Sequence, residues 1–235
     1  MKLELNNLYN MDCMEGLKFI PDKNFDLAIV DPPYGIGENG STNHTRGKEA
    51  KAKKYKAFYG KDTEAPSVEY FNELIRVSKN QIIWGANHFI SRIPYDSSCW
   101  IVWDKVNGKT DFADCELAWT SFKTAVRLFR YMWQGMNQGK SISEGHIMQG
   151  NKSKNEKRIH PAQKPVNLYK WILMNYAKPG YKILDTHVGS ASSLIACHDM
   201  KFEFLGFEID SYYYRLATER LERHRSQVSV FDLIR

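Results

Sequence analysis

The sequence predicts an α/β fold, a Rossmann-like, doubly wound and mostly parallel sheet. Short continuous apolar runs are the first sign. They recur at Phe25–Val30 (FDLAIV), Gln81–Trp84, Trp100–Trp103, Ala125–Tyr131, Lys182–Leu184 and Glu203–Ile209, the pattern of strands buried on both faces. The second sign is the helical stripes between them. Pro66–Val77 spaces Val68, Phe71, Leu74 and Ile75 along one face, and Asn167–Ala177 does the same with Leu168, Trp171 and Ile172 before a Lys178-Pro179-Gly180 stop. Tyr212–Arg223 carries Leu216 and Leu221 among many charges, a helix packed by one stripe. Strands alternating with helices imply a parallel, doubly wound sheet.

Composition bounds the rest. The chain has 235 residues, enough for one domain with a full core and short for two. The expectation is a single domain over residues 1–235, interrupted by a basic loop at about 36–65 and a polar insertion at about 134–158. The first apolar stretch is broken by Asn6, Asn7, Asp12 and Glu15, so it does not read as a secretory signal, and no run reaches membrane-spanning length. No membrane is expected as a partner, and the expected location is the cytoplasm. Cys13, Cys99, Cys115 and Cys197 are scattered without a CxxC pair, which argues for reduced thiols rather than disulfides or structural zinc. His88, His146 and His160 have no metal-ligand spacing, so no metal is expected. The net charge is +6, and Arg46–Lys61 alone holds seven basic residues against Glu49, so that segment accounts for all of it. One basic patch on a neutral body suits a polyanion.

Two groups of residues carry chemistry. Asp31-Pro32-Pro33-Tyr34 follows a buried strand. The prolines stiffen an extended turn and remove two donors, which frees carbonyls to point outward. At the carboxyl end of a parallel strand that turn faces the ligand crevice. The Asp31 carboxylate and the Pro32 carbonyl can accept both N–H bonds of an exocyclic amine, while Tyr34 offers a flat face to a base. The second group is Asp185 after a strand, then Gly189-Ser190-Ala191-Ser192 opening a helix, then Glu208 ending the next strand 23 positions on. Gly189 permits close backbone approach, and a terminal acid such as Glu208 can accept ribose hydroxyls. Gly35-Ile36-Gly37-Glu38-Asn39-Gly40 also fits GxGxxG, but Ser41-Thr42-Asn43-His44 opens no helix, so a loop is expected there.

Asn7–Gly35, His160–Pro165 (HPAQKP), Ile183–Ser192 (ILDTHVGSAS) and Phe204–Arg220 together resemble the β class of amino-group DNA methyltransferases, in which the catalytic motif precedes the cofactor motif. Trp84–His88 and Trp103–Lys105 are similar to stretches of small phage-type members. The resemblance implies a class I S-adenosylmethionine-dependent methyltransferase fold, with S-adenosyl-L-methionine as cofactor and double-stranded DNA as substrate. It implies a catalytic loop at Asp31, Pro32, Pro33 and Tyr34. Asp185 would contact the cofactor's methionine part, Glu208 its ribose, Asp12 its adenine, and Lys164 the methionine carboxylate. His187, Gly189, Ser190 and Ser192 complete the cofactor loop. His187 stands where Phe is common and is expected to act as neutral packing, while Ala191 and Ser192 replace Gly and Thr, small for small.

The resulting expectation is methyl transfer to adenine N6 in a flipped-out base, in a bacterial or phage-infected cell. Lys51, Lys53, Lys54 and Lys56 would contact DNA phosphates, and 134–158 would help read the target. N4-cytosine methylation is the nearest alternative, with Asp rather than Ser at 31 leaning toward adenine by family analogy. Protein-glutamine methylation, whose related loop begins with Asn, is further off. The sequence leaves the recognition site and homodimerisation open.

Overall fold

The structure, a computed structural model, describes residues 2–37, 55–56, 62–108 and 113–232, with side chains to 227. An eight-stranded sheet organises it. Its strands are β1 (Asn7–Asn10), β2 (Phe25–Val30), β3 (Ser78–Trp84), β4 (Trp100–Asp104), β5 (Cys115–Thr120), β6 (Arg127–Arg130), β9 (Lys182–Asp185) and β10 (Glu203–Glu208). They lie in the order β1-β10-β9-β2-β3-β5-β4-β6. Every pairing is parallel except the two made by β5, so the sheet is mostly parallel, as expected. The helices are α1 (Cys13–Leu17), α2 (Val68–Val77), α3 (Val166–Tyr176), α4 (Ser192–Asp199) and α5 (Ser211–Asp232).

Alternation along the central strands divides the core between the two faces. Leu27 and Ile29 of β2, with Ile82 and Trp84 of β3 and Ile183 of β9, pack under Leu168 and Ile172 of α3, Leu194 of α4 and Ala217 and Leu221 of α5. Ala28 and Val30, with Ile83, Leu184, Leu205 and Phe207, pack under Leu17 of α1 and Phe71, Leu74 and Val77 of α2. Gly16 of α1 lets the Phe207 ring approach so closely that a Cβ there would fall 2.4 Å from it.

Three elements escape the apolar pattern. β1 is a short edge strand with exposed ends, α1 has only five residues, and β5 (CELAWT) carries an acid within its apolar run. The insertion at 134–158 has no periodicity in its sequence, yet it begins in a small hairpin of β7 (Trp133–Gln134) and β8 (Asn137–Gln138). Side chains supply what an apolar pattern would not show: the Gln138 amide donates to Glu156 O at 2.9 Å and accepts from Glu156 N at 2.8 Å.

The architecture sets the site. The chain leaves β2 toward β3 on one side and β9 toward β10 on the other, so connections diverge between two neighbouring strands. A crevice opens at the carboxyl ends of such a pair. Asp31 follows β2, and Asp185 ends β9. Phe207, fully buried against α1, leads into the third site strand end at Glu208. Phe207→Ala is expected to destabilise the protein by about 3–5 kcal/mol, read from chemical denaturation.

Candidate active site

Asp31, Asp185, Glu208 and Asp12 follow or end β2, β9, β10 and β1, all parallel, so the four acids share one edge of the sheet. β5 runs the other way, and its start therefore reaches the same edge. Glu116 sits there, in register with Trp103.

The Asp31 loop is held by an ion-pair cluster centred on the buried Lys164. The Lys164 ammonium, with a side chain only 4% exposed, lies 2.5 Å from Asp31 Oδ2 and 3.1 Å from Glu116 Oε2. It also donates to the Tyr34 hydroxyl at 3.0 Å, and that hydroxyl donates to Asp31 Oδ1 at 2.8 Å. Lys105 pairs with the other oxygen of Glu116. Burial raises the Asp31 pKa and Glu116 adds to this, while Lys164 opposes both. Burial also works against the Glu116 and Lys164 charges. The ammonium groups of Lys164 and Lys105 nonetheless hold Glu116 at about 2, and the two carboxylates hold Lys164 above its ordinary value. The Asp31 pKa lies above its ordinary value on balance, so the Lys164 ammonium at 2.5 Å offsets only part of the cost of burial.

Tyr34 lies flat on His88, with centroids 5.2 Å apart and planes 16° off parallel. Gly85 makes room beneath it: its φ is +67°, and a Cβ there would fall 2.1 Å from the Tyr34 ring. Pro32 is buried and Pro33 partly so. The glycine-rich stretch after Tyr34 opens no helix within its described part. Gly35 N and Ile36 N instead donate to the two oxygens of the Asp62 carboxylate at 2.9 and 3.3 Å, and Gly37 N donates to Asp62 O.

The second half of the site surrounds β9 and β10. The Asp185 carboxylate accepts from His187 N at 3.0 Å and from the Ser193 hydroxyl. Burial pushes its pKa up to about 7. Glu208 accepts from Gly189 N and Asp210 N, each at 2.8 Å. This ties the glycine turn, where Gly189 has φ +56°, to the end of β10. Burial lowers the His187 pKa to about 4 and that of His160 to about 3, so both rings are neutral at pH 7. His187 meets Tyr70 edge-on at 5.4 Å, and His160 lies over Gly189 and against Tyr213.

The structure gives several of the expected residues protein partners. Lys164, assigned by the resemblance to the cofactor's methionine carboxylate, has its ammonium against Asp31, Glu116 and Tyr34. Ser190 and Ser192 turn toward α5: their hydroxyls lie 3.0 Å apart, and Arg220 donates to Ser190 O and Ser192 Oγ while pairing with Glu156. Ala191 takes a left-handed φ of +62°, a conformation glycine adopts freely, so this small-for-small exchange carries strain. Asp12 caps α1 by accepting from Met14 N at 2.8 Å. Of the basic run, Lys51, Lys53 and Lys54 lie outside the described residues. The Lys56 carbonyl accepts from the Tyr213 hydroxyl, and its ammonium lies 4.7 Å above the Tyr212 ring.

Glu116, Lys105 and Ser193 were not legible as site residues. A lone acid inside CELAWT was the available signal for Glu116. Away from the edge, the ligand atoms of His198, Asp199 and His224 lie within 4.8 Å of one another. Lys170 binds the Asp199 carboxylate at 2.5 Å and His224 binds it at 2.5 Å, so the group serves as an ion-pair cluster joining α3, α4 and α5.

The raised Asp185 pKa makes the carboxylate costly in the empty protein and suits a cationic ligand group. Its sign is definite. Between about pH 4 and pH 7 the folded protein keeps a proton that the unfolded chain releases, so stability falls as pH rises through that window and is level above it. Asp185→Asn is expected to stabilise the cofactor-free protein at pH 8 by up to about 4 kcal/mol, with the gain gone at pH 4. Thermal denaturation at the two pH values measures this.

Comparison with known proteins gives the chain a family. The profile of the N6/N4 DNA methylase family matches residues 71–219. The type II methyltransferase M.HinfI of Haemophilus influenzae is 27% identical over 98% of this chain and 72% of its own length. Two solved structures share the fold. TTHA0409 of Thermus thermophilus, complexed with S-adenosyl-L-methionine, has a TM-score of 0.55 at 18% identity, over 93% of each chain. The cytosine-N4-specific PvuII DNA methyltransferase has a TM-score of 0.55 at 13% identity, over 97% of this chain and 93% of its own. With most of its length matched by the family profile, the chain belongs to the N6/N4 family of DNA methylases.

Proposed function

We propose that this chain transfers a methyl group to the N6 amine of an adenine in double-stranded DNA, in the cytoplasm of a bacterium or a phage-infected cell. The observation that carries the reading is the Asp31 carboxylate, paired with the buried Lys164, in a DPPY turn at the crevice of a DNA methylase fold.

S-adenosylmethionine supplies an electrophilic methyl group on a sulfonium that departs as a neutral thioether. The residues at β9 and β10 fit such a ligand. Asp185 is a buried carboxylate suited to a cationic amino group, and Glu208 ends a strand beside the Gly189 turn, in reach of a ribose. His187 and His160, neutral at pH 7, add no charge against the sulfonium. Asp12 would meet the adenine end. Gly189 would face the ligand with its backbone, and Ser190 and Ser192 would support that turn through Arg220 rather than touch the ligand.

At the catalytic turn, Asp31 and the Pro32 carbonyl accept the two N–H bonds of the target amine and aim its lone pair. The nitrogen gains a bond to carbon and a positive charge, which the carboxylate stabilises, and it then sheds one proton. Asp31, whose burial raises its proton affinity, is placed to take that proton. The base must leave the duplex at a cost of a few kcal/mol, and stacking on Tyr34 offsets part of it. By family analogy alone, Asp rather than Ser at position 31 supports adenine over cytosine.

DNA would reach this edge beside the basic stretch, with residues 134–158 contributing to target reading. DNA from a methylation-free host expressing the chain should contain N6-methyladenine. Finding N4-methylcytosine instead would transfer the reading to cytosine. Changing Lys51, Lys53, Lys54 and Lys56 to Gln should weaken DNA binding at every sequence and lower the slope of log affinity against log salt by roughly 0.9 per lost phosphate contact. An unaltered slope in a filter-binding titration would move the DNA path to residues 134–158.

A further inference from the structure

Resting on that reading, a conflict arises at the target amine. The transfer step builds positive charge on the amine nitrogen, and a carboxylate should stabilise it. Yet the Lys164 ammonium lies 2.5 Å from the Asp31 carboxylate. An isolated Asp31–Lys164 pair is neutral and would offer a cation little. The buried ammonium could even repel it, because such charges are weakly screened.

The surroundings of Lys164 resolve the conflict. Glu116 Oε2 lies 3.1 Å from the same ammonium, and Lys105 holds the other Glu116 oxygen. Among the described residues Lys105 forms no ion pair with Asp31. The charges thus form a row of alternating sign: Asp31, Lys164, Glu116, Lys105. The negative end of the row is the group placed to grip the amine. Glu116 draws on the same ammonium and offsets its charge, so the carboxylate at the reacting end acts with its own charge. The placement has a structural origin. Within the eight-stranded sheet, β5 runs antiparallel to both its neighbours, and this brings Glu116, near its start, to the carboxyl edge where the parallel strands end. Trp84 and Tyr34 have their rings 5.5 Å from the ammonium, which restricts it to these carboxylates and the Tyr34 hydroxyl.

We propose that Glu116 is a positioning residue for methyl transfer, which pairs with Lys164 so that Asp31 faces the target amine as an effective negative charge. Glu116 acts through Lys164 and touches neither the amine nor the methyl donor.

A double-mutant cycle on kcat tests this, with S-adenosylmethionine affinity measured by calorimetry as the check of fold. Glu116→Gln is expected to lower kcat about 10- to 100-fold, the scale of losing one preorganised electrostatic contact, while cofactor affinity stays within about two-fold. Glu116→Asp keeps the charge and should retain most of kcat. In a Lys164→Met background, Glu116→Gln should cost nothing more, since the group it acts through is gone. Equal losses for the Gln and Asp variants, or independent losses that multiply in the double variant, would overturn the proposal. So would an unaltered kcat in Glu116→Gln. If Glu116→Gln loses cofactor binding with its fold, the Asp variant decides alone: a loss of kcat beyond about ten-fold with normal cofactor affinity contradicts the role of charge. Failure of the underlying reading looks different, because the wild-type protein would then leave DNA adenine unmethylated.

Discussion

The contact between Lys164 and Asp31 is the constraint on which the site depends. Desolvation works against the charge of this half-buried aspartate. An ammonium at 2.5 Å opposes that cost, and Asp31 and a second carboxylate together hold the ammonium above its ordinary pKa. Each member of the cluster would be costly alone, and together they satisfy one another. The arrangement spans the chain: Asp31 follows β2, Glu116 belongs to β5, and Lys164 immediately precedes the Pro165 cap of α3. Closing this cluster therefore ties the Asp31 turn to an element more than a hundred residues away.

The sheet makes the closure available. Strands β2 and β9 are neighbours whose connections run in opposite directions, so the Asp31 turn and the Asp185 turn stand side by side at one edge. One half of the crevice carries a paired, charged cluster. The other holds a carboxylate with a pKa near 7 and two neutral imidazoles. On the proposed reading, this division suits a cationic methyl donor on one side and a neutral amine on the other.

Much of this was legible in the sequence, for physical reasons. A strand buried on both faces shows as an unbroken apolar run, so β2, β9 and β10 and the motifs at their ends could be placed in advance. β1 and β5 could not. β1 is half exposed at the sheet edge, and β5 interrupts its apolar pattern with Glu116, which is the feature that matters. The partners of Lys164 were hidden for a related reason. Sequence spacing reports neighbours along one element, whereas this ammonium meets groups 133 and 130 residues distant. Family resemblance suggested the cofactor for it, and the fold shows its contacts with Asp31 and Tyr34. The left-handed Ala191 was equally invisible, because small size says nothing of backbone angle.

The central claim is that Asp31 serves the amine and not the methyl donor. The most direct test measures single-turnover methyl transfer and cofactor affinity on the same Asp31→Ala protein. This account predicts transfer reduced below detection with S-adenosylmethionine affinity within a few-fold of wild type. Transfer at the wild-type rate, or a loss explained entirely by failure to bind the cofactor, would contradict it.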